Sequence, residues 1–335
     1  MAARWGMTKP PARRSLLMRI LGADFLATKI AALSQGFTLV FAILFLLKLW
    51  VGDKWYWSKF IFYIPSPFLL IAAIATIWWP GAFGWRGKAV FTALFLVLAG
   101  MGLWVEQPTL FRSPPEQSGA GDLRVVTWNV MAYTTGEVRI GERILALDPD
   151  IVVIVEGTFR ERRPERLAKT LGAQYHWAVG DRLSIASRLP IKDSRVLVKM
   201  RGARVFVATI ETPIGPMDVA AIDMLTPRGR DDGRAYLDLE KALAQLGDNA
   251  IAAGDMNTPR GSRYINRVFK GWRDDMLEVG GGRWQASWPS PLPLWYIDQS
   301  FSRGEVIPVG AHLPWGLHSD HLPVVVDYVF SAPPE

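Results

Sequence analysis

The 335-residue chain contains no cysteine and only four histidines. The absence of cysteine excludes a disulfide framework and any metal site built on thiolates, although it leaves the compartment open. The chain also lacks an internal repeat, a low-complexity tract and the motifs G-x-S-x-G, H-E-x-x-H and G-x-x-x-x-G-K-[ST]. These absences argue against a serine esterase, a zinc peptidase and a P-loop NTPase.

Basic residues are distributed unevenly. The formal net charge is +7, but residues 1–121 hold 12 Lys and Arg against 4 Asp and Glu, whereas residues 122–335 hold 26 against 27. A C-terminal part with a charge of −1 offers no broad positive field for a polyanion, which counts against a DNA-binding enzyme. The basic N-terminal part instead indicates membrane topology and contact with anionic lipids.

Three long runs without charged residues follow the basic N-terminus, and each ends near tryptophan. They are Ile30–Leu47, Phe60–Trp85 and Ala89–Val105. A helix needs about 17–25 residues to cross a bilayer, so the runs predict three transmembrane helices at about 30–50, 60–80 and 88–105. A buried core helix would explain one such run but is a poor explanation of three in succession. Pro65 and Pro67 predict a kink or a late start in the second helix.

These runs predict the order of domains along the chain. Residues 1–29 form a basic cytoplasmic tail, 30–106 a membrane domain, 107–121 a polar linker with three prolines, and 122–331 a catalytic domain. Three crossings from a cytoplasmic N-terminus place the catalytic domain on the outer side of a bacterial-type plasma membrane. Arg86 and Lys88 in the second loop agree with this orientation, whereas Lys54 and Lys59 near the first loop count against it.

Segments with strand-like and helix-like patterns alternate after Asp122. The predicted strands are Leu123–Val130, Ile151–Glu156, Leu183–Ser187, Arg204–Glu211, Met217–Ile222, Ala250–Ala253 and Pro323–Phe330. The predicted helices are Glu137–Leu147, Arg160–Leu171, Asp231–Leu246 and Arg263–Phe269. Several consecutive strands between Tyr175 and Ile222 favour an α+β fold with largely antiparallel packed sheets over a doubly wound parallel sheet.

Polar side chains suited to a hard metal ion and a phosphate lie beside these strands. Asp255 and Asn257 alternate around Met256, so an extended turn would point both to the same side. Glu156 ends an apolar run, where burial of an unpaired carboxylate would be costly unless a metal ion balanced it. Ordinary alternatives remain for each residue type: an exposed acid at a strand end, an Asx turn, or a structural histidine.

Six short motifs occur in one order along the catalytic part. They are Thr127-Trp128-Asn129-Val130, Asp150–Glu156 (DIVVIVE), Ser187-Arg188-Leu189-Pro190-Ile191, Gly254-Asp255-Met256-Asn257, Tyr296-Ile297-Asp298 and Ser319-Asp320-His321-Leu322-Pro323. In this order they resemble the endonuclease/exonuclease/phosphatase family, whose fold is shared by DNase I-like nucleases, neutral sphingomyelinases and inositol-polyphosphate 5-phosphatases. The resemblance implies a DNase I-like four-layer α/β sandwich, with two packed mixed β-sheets flanked by helices and, here, three transmembrane helices before it.

The family resemblance and the residue chemistry together assign a metal site and a catalytic set. Glu156 is expected to be the main ligand of Mg²⁺, or of Mn²⁺ in its place, with Asn129 beside it and Asp320 as a metal or histidine partner. Asp255 is expected to orient or deprotonate a water molecule, and Asn257 to donate a hydrogen bond to a phosphoryl oxygen. His321, oriented by Asp298, is expected to stabilise phosphoryl charge or move a proton.

One position departs from the family pattern. Many members have a histidine, and some a tyrosine, after the strand corresponding to Met217–Ile222, and this residue contacts the phosphate. The present chain has Asp223 there. An aspartate cannot supply that contact unless it is protonated, so Asp223 would bind a second metal ion, form an ion pair with Arg228 or Arg230, or reduce or redirect activity.

Three functions are therefore compared. The first is a membrane-anchored, metal-dependent phosphoesterase that hydrolyses a phosphomonoester, phosphodiester or diphosphate by in-line attack of water. Its substrate is expected to be lipid-linked, since Trp272, Trp284, Trp288, Trp295 and Trp315 supply candidates for an apolar rim. The second is an anchored nuclease, and the third is a non-catalytic binding protein. The expected partners are thus a phosphate ester and membrane lipids, with nucleic acid less favoured.

Overall fold

The computed structural model describes residues 13–113, 121–157, 165–199, 202–225 and 232–331, and within residues 13–24 only the backbone. The chain divides into two compact units. The first contains the chain up to Trp50 together with Ser66–Met101. The second contains Val51–Pro65 and the chain from Gly102 onward.

Apolar helices make up the first unit, and some continue into the second. Helix α1 is Arg13–Leu46, followed by a π-helical turn at Leu47–Val51; α3 is Ser66–Ile77 and α4 is Trp85–Glu106. Among the described residues, two helices are long and apolar enough to cross a membrane, Phe25–Val51 and Trp85–Glu106. A third candidate exists only if α3 and the preceding short helix α2, Tyr56–Phe62, count as one bent span. The count is therefore two or three, and the predicted three crossings stay a prediction.

The proline-containing run is interrupted as expected. Helix α2 ends at Phe62 and α3 begins at Ser66, so the interruption coincides with Pro65. Proline at this position lacks an N–H for the preceding turn and disfavours helix in the residue before it. The predicted kink in this run is confirmed.

Within the described part of the second unit, twelve strands form two six-stranded sheets. The first sheet has the order β11-β12-β1-β2-β4-β3 and the second β5-β6-β7-β8-β10-β9. Strands β1 and β2 are parallel, as are β7 and β8, and the other neighbours are antiparallel, so both sheets are mixed. The strands are β1 Leu123–Asn129, β2 Ile151–Val155, β3 His176–Val179, β4 Leu183–Ser187, β5 Ile191–Val198, β6 Ala203–Thr212, β7 Gly215–Met224, β8 Ala250–Asp255, β9 Arg273–Asp274, β10 Asp298–Arg303, β11 Val306–His312 and β12 Val324–Phe330.

The two sheets pack face to face and helices cover their outer faces. Alternate residues of the strands, such as Val125, Val153, Val219 and Ile251, fill the layer between the sheets. The intervening residues pack against helices: α5 (Glu137–Ala146) and α6 (Glu165–Leu171) on the first sheet, α7 (Asp232–Leu243) and α8 (Arg263–Val268) on the second. A further short helix, α9, is Asp275–Val279. The predicted α+β sandwich of two mixed sheets flanked by helices is confirmed.

The elements missing from the sequence prediction have a polar or interrupted composition. Strand β5 is largely exposed, and β10 (DQSFSR) buries polar residues, so neither has the apolar alternation of a typical strand. The predicted helices agree with α5, α7 and α8 apart from one to three residues at their ends. The predicted helix Arg160–Leu171 corresponds to α6, although residues 158–164 lie outside the described part of the chain.

Two stretches near the apolar helices pack onto the catalytic fold. Gln107 and Thr109, at the start of the predicted linker, are buried, and their side-chain and main-chain oxygens accept hydrogen bonds from Gln285 N and Gly282 N. The segment Val51–Pro65, expected to be part of the membrane domain, is grouped with the second unit. The second unit thus includes residues that precede residue 122, where the predicted catalytic domain begins.

Candidate active site

Four charged residues lie in a row across the second sheet. Arg204 on β6 pairs with Asp223 on β7, Asp223 pairs with Asp255 on β8, and Asp255 pairs with Asp298 on β10. Residues opposite one another on neighbouring strands share a face of the sheet. Arg204, Asp223 and Asp255 each lie two residues from an apolar residue that fills the layer between the sheets, namely Phe206, Ala221 and Ala253. Because residues two apart in a strand share a face, the row lies on the inner face, towards the first sheet. Polar residues therefore replace apolar ones at this end of the inter-sheet layer.

Asp255 is the centre of the row and is held by two asparagines. Its Oδ2 accepts hydrogen bonds from Nδ2 of Asn129 and Nδ2 of Asn257, both at 3.1 Å, and its Oδ1 accepts from the Asn257 N–H at 2.8 Å. Asn129 ends β1, so this contact joins the two sheets. Asn257 Nδ2 also donates to the Met224 carbonyl at 2.6 Å. Both hydrogens of that amide are thus engaged, and Asn257 positions Asp255 instead of presenting a free donor.

The end of β8 can lie this close to β7 only because residue 254 is a glycine. A Cβ atom on Gly254 would lie 1.9 Å from the carbonyl oxygen of Ile222 on β7. Asn257 then adopts a left-handed conformation with φ of 46°, a region that asparagine enters more readily than most residues. The G-D-x-N motif therefore combines a close strand approach with a turn that returns an amide to the preceding carboxylate.

His321 and Asp298 form a buried pair next to Asp255. His321 Nδ1 lies 2.7 Å from Asp298 Oδ2, and His321 Nε2 lies 3.9 Å from Asp255 Oδ2. Burial lowers the pKa of His321, but the charge and hydrogen bond of Asp298 outweigh it and raise the pKa to about 10. Burial, followed by the nearby Asp298 charge, raises the pKa of Asp255 well above its usual value. The site thus brings together an imidazole whose protonated form is favoured by Asp298 and a carboxylate whose ionised form is disfavoured by burial.

Glu156 lies directly after β2, next to Asn129 at the end of β1. Asn129 pairs with Val155 in the parallel β1–β2 register, and the Glu156 carbonyl accepts a hydrogen bond from Ala132 N. Glu156 has a left-handed φ of 56°, which is uncommon for a residue of this size. Its side chain is partly exposed and lies 3.3 Å from Arg182 Nη2.

Asp320 approaches the site from the loop before β12. Its Oδ2 accepts a hydrogen bond from Trp288 Nε1 at 3.2 Å. The neighbouring Ser319 hydroxyl donates to the Asn129 carbonyl at 2.8 Å, and Trp128 Nε1 donates to the His321 carbonyl at 2.9 Å. The S-D-H motif is therefore anchored to the end of β1 by hydrogen bonds from both directions.

Asp223 forms an ion pair with Arg204 on β6, a residue that was not among the partners expected from the sequence. Asp223 Oδ2 lies 2.9 Å from Arg204 Nη1, and Arg228 and Arg230 lie outside the described residues. Burial raises the pKa of Asp223, and Arg204 partly offsets that rise. Among the described residues, Arg204 Nε is buried and has no hydrogen-bond acceptor. The position of the family histidine is therefore occupied by an aspartate that holds an arginine.

The charges of this cluster suit a divalent cation. Five carboxylates, Glu156, Asp223, Asp255, Asp298 and Asp320, are accompanied by three cationic side chains, Arg182, Arg204 and His321. The excess of carboxylates over cationic side chains, and the presence of hard oxygen donors, fit Mg²⁺ or Mn²⁺. Glu156, Asn129 and Asp320 are the residues that would hold it.

A second grouping also has a spacing compatible with a metal ion. Asp255, Asp298 and His321 offer ligand atoms within 4.8 Å of one another. His321 Nδ1 is already in contact with Asp298 at 2.7 Å, so Nε2, which faces Asp255, is the ring nitrogen that remains for a further contact.

Sequence patterns identified most of this site but missed its arginines and several supports. Asn129, Asp223, Asp255, Asn257, Asp298 and His321 are brought together by hydrogen bonds or strand register, and Glu156 and Asp320 lie at adjoining strand ends. Arg182 and Arg204 were not singled out. The sequence would identify Arg204 only if β6 and β7 were first predicted to pair as a hairpin, because that pairing places Arg204 opposite Asp223.

Similar solved structures share this fold. An endonuclease/exonuclease/phosphatase family protein from Bacteroides thetaiotaomicron has a TM-score of 0.51 and 17% identity, over 64% of this chain and 100% of that one. A protein of the same family from Leptotrichia buccalis has a TM-score of 0.51 and 16% identity, over 62% and 100%. An AP endonuclease from Archaeoglobus fulgidus has a TM-score of 0.50 and 19% identity, over 63% and 100%.

A comparison with curated proteins finds no match. The model of the Endonuclease/Exonuclease/phosphatase family matches residues 126–321, which begin within β1 and end at His321. This range contains all eight site residues and more than half of the chain. The chain belongs to the endonuclease/exonuclease/phosphatase family.

Proposed function

We propose that this protein is a membrane-anchored, divalent-metal-dependent phosphoesterase that hydrolyses a lipid-linked phosphoester or diphosphate. The observation that carries the chemistry is the convergence of Asp255, the Asp298–His321 pair and the oxygen donors at Glu156 and Asn129. Family membership supports the reaction class. The two or three apolar helices support the anchor.

Each residue of the site has a separate role in the proposed hydrolysis. Asp255 receives the proton of the attacking water, while Asn129 and Asn257 fix its orientation. His321, held by Asp298, presents its protonated Nε2 towards the phosphoryl oxygens and stabilises their charge. Glu156, Asn129 and Asp320 would hold a divalent ion, which would neutralise charge on the phosphate and on the leaving oxygen.

Arg204 can supply the positive phosphate contact that an aspartate at position 223 cannot. An arginine beside the row carries a permanent positive charge and several N–H donors, which is what a phosphate contact requires. Asp223 fixes this guanidinium through Nη1, and Asp181 Oδ2 lies 3.9 Å from its Nε. We infer that the Arg204–Asp223 pair replaces the histidine found in many relatives, and this favours an active enzyme over a non-catalytic protein.

The surface near the site favours a substrate with an apolar part. Trp284, Leu292, Trp315 and Leu317 are all exposed, and the indole N–H groups of the two tryptophans donate to carbonyls of the 291–293 loop. Indoles with a satisfied N–H and an exposed ring are typical of lipid–water interfaces. The nearly neutral charge of residues 122–335 does not favour the anchored-nuclease alternative.

Hydrolysis by the full-length protein in nanodiscs tests the proposal. The substrates are a lipid phosphate, a lipid diphosphate, sphingomyelin, a phosphoinositide and plasmid DNA, each with Mg²⁺, with Mn²⁺ and with a chelator. We expect metal-dependent turnover of one lipid class and its loss in Asp255→Asn. Strong cleavage of DNA without lipid hydrolysis would establish the nuclease alternative. Silence on every substrate, with metal still bound, would favour the non-catalytic one.

A further inference from the structure

The segment Val51–Pro65 has two different faces. Asp53, Ser58 and Phe62 are buried against the catalytic unit. Trp55, Tyr56, Trp57 and Phe60 are exposed, by 48%, 42%, 48% and 61%. The exposed rings pack on one another, Trp55 on Trp57 and Tyr56 on Phe60, each pair with ring centroids 5.5 Å apart. Four exposed aromatic side chains in fifteen residues form an apolar surface that normally marks an interaction site.

The buried face is fixed to the loop that follows the catalytic strand β8. The Tyr63 hydroxyl donates to the Asn257 carbonyl at 3.0 Å and to Thr258 Oγ1 at 3.1 Å. Asp53 accepts hydrogen bonds from Ser262 Oγ and from Arg263 N, the latter at 3.0 Å, at the start of α8. The Val51–Pro65 segment therefore holds both ends of residues 257–263.

The same segment also contacts the tryptophans that lie beside Asp320. The Tyr63 carbonyl accepts a hydrogen bond from Trp295 Nε1 at 2.7 Å. Trp295 packs on Trp288, whose own indole N–H donates to Asp320. Tyr63 thus connects, by its hydroxyl, to the loop carrying Asn257 and, by its carbonyl, to the tryptophans that support Asp320.

The end of helix α4 meets the same loop. Gly261 has a left-handed φ of 86°, and a Cβ atom on it would lie 2.6 Å from Val105 Cγ1. Both chain connections between the apolar helices and the catalytic fold, at Val51–Pro65 and at Val105, therefore contact residues 257–263.

We propose that the Val51–Pro65 segment binds the lipid–water interface through its exposed aromatic face and that Tyr63 positions the catalytic loop Met256–Thr258. The chain before this segment is the candidate span Phe25–Val51, and the chain after it is the apolar helix α3. This continuity identifies the occupant of the aromatic face as the headgroup region of a bilayer, where Trp and Tyr are enriched. The positioning role of Tyr63 rests on the proposed function, whereas the membrane contact does not.

Site-directed spin labelling tests the membrane contact. The chain has no cysteine, so Trp57→Cys and Phe60→Cys each give one labelling site without further changes. Val196→Cys on β5 is the control, because Val196 is exposed by 47%, nearly the same as Trp57. In nanodiscs we expect the labels at residues 57 and 60 to be accessible to oxygen and protected from a water-soluble nickel complex, and the label at residue 196 to show the reverse. Equal behaviour of all three labels would overturn the contact.

Tyr63→Phe tests the positioning role, since it removes one hydroxyl and keeps the ring. We expect kcat to fall about three- to tenfold, the effect of one lost neutral hydrogen bond, with KM little changed. Tyr175→Phe is the matched control, because the buried Tyr175 hydroxyl donates to the Pro149 carbonyl at 2.6 Å, between the residues that precede β3 and β2. A merely destabilising change would affect both variants alike, and that result would overturn the role of Tyr63.

A second measurement keeps the two proposals separate. Amide hydrogen exchange of the peptide containing Met256–Thr258 should be faster in Tyr63→Phe and unchanged in Tyr175→Phe, whether or not a substrate has been found. Unchanged exchange in Tyr63→Phe would contradict the positioning role even in an active enzyme. Faster exchange in a protein that turns over no substrate would retain the positioning role and reject the proposed function.

Discussion

The layer between the two sheets contains two polar clusters that treat buried carboxylates differently. At the active-site end, Asp255 lies among other carboxylates, two asparagines and the protonated His321. Asp275, the first residue of α9, accepts hydrogen bonds from Ser300 and Ser302 further along the same face of β10 and from Tyr328 on β12. In the first cluster several carboxylates repel one another and need cationic groups to balance them. In the second cluster, hydroxyl groups alone donate hydrogen bonds to a single carboxyl group. This contrast separates a site built for chemistry from a polar group built into the core.

Exchanging the central carboxylate of each cluster should give the largest difference. Asp255→Asn removes the proton acceptor, and we expect kcat/KM to fall by about 10²–10⁴-fold, the usual contribution of a general base. Asp275→Asn is the matched control, since it makes the same chemical change in the same inter-sheet layer and should leave kcat/KM close to wild type. Steady-state hydrolysis of the best lipid substrate measures both. Equal losses would mean that the two clusters do not differ in function.

The pair Asp298–His321 should behave as one unit. Asp298→Asn removes the negative charge from the 2.7 Å contact and His321→Gln removes the imidazole, and we expect each to lower kcat by about 100-fold. The double variant should be little worse than either single variant, because each change already removes the interaction. Effects that multiply in the double variant would show that His321 and Asp298 act independently.

The Arg204–Asp223 pair sharpens the comparison at the edge of the row. We expect Arg204→Met to lower kcat/KM by about 10- to 100-fold, the range for losing a hydrogen bond to a charged group. If Asp223 acts only by holding Arg204, adding Asp223→Asn to Arg204→Met should cause no further loss. Full activity in Arg204→Met would remove the arginine from the site and restore the objection that Asp223 poses to catalysis.

The sequence predicted the active-site end of the layer better than its other end. Asp255, Asn257 and His321 lie in short motifs directly next to apolar strands, so local pattern and family resemblance were sufficient. Asp275 lies in no motif, and its partners on β10 belong to a strand whose alternate positions are polar, so neither hydrophobic alternation nor resemblance identified it. Tyr63 was missed for a different reason: its partners are 194 and 195 residues away, and the apolar context of its segment indicated only a membrane helix.

The smallest expected effect concerns stability, and it belongs to the Asp275 cluster. Burial raises the pKa of Asp275 to about 7, although its three hydrogen bonds oppose that rise. In the unfolded chain the carboxyl group loses its proton near pH 4, so the folded state binds more protons between about pH 4 and pH 7. The contribution of Asp275 to the free energy of unfolding is therefore full below pH 4 and is lost as the pH rises through about 7.

Asp275→Asn should remove this pH dependence, because an amide remains neutral throughout the range. We expect the melting temperature of wild type to fall relative to that of the variant as the pH rises from 4 to 7, and the difference between them to be constant above about pH 8. Thermal unfolding in detergent at fixed ionic strength, followed by near-ultraviolet circular dichroism, measures both proteins. Parallel curves across the whole range would show that Asp275 titrates alike in the folded and unfolded states. The hydroxyl cluster would then hold an ionised carboxylate, and the contrast between the two clusters would lie in their neighbours rather than in their charge.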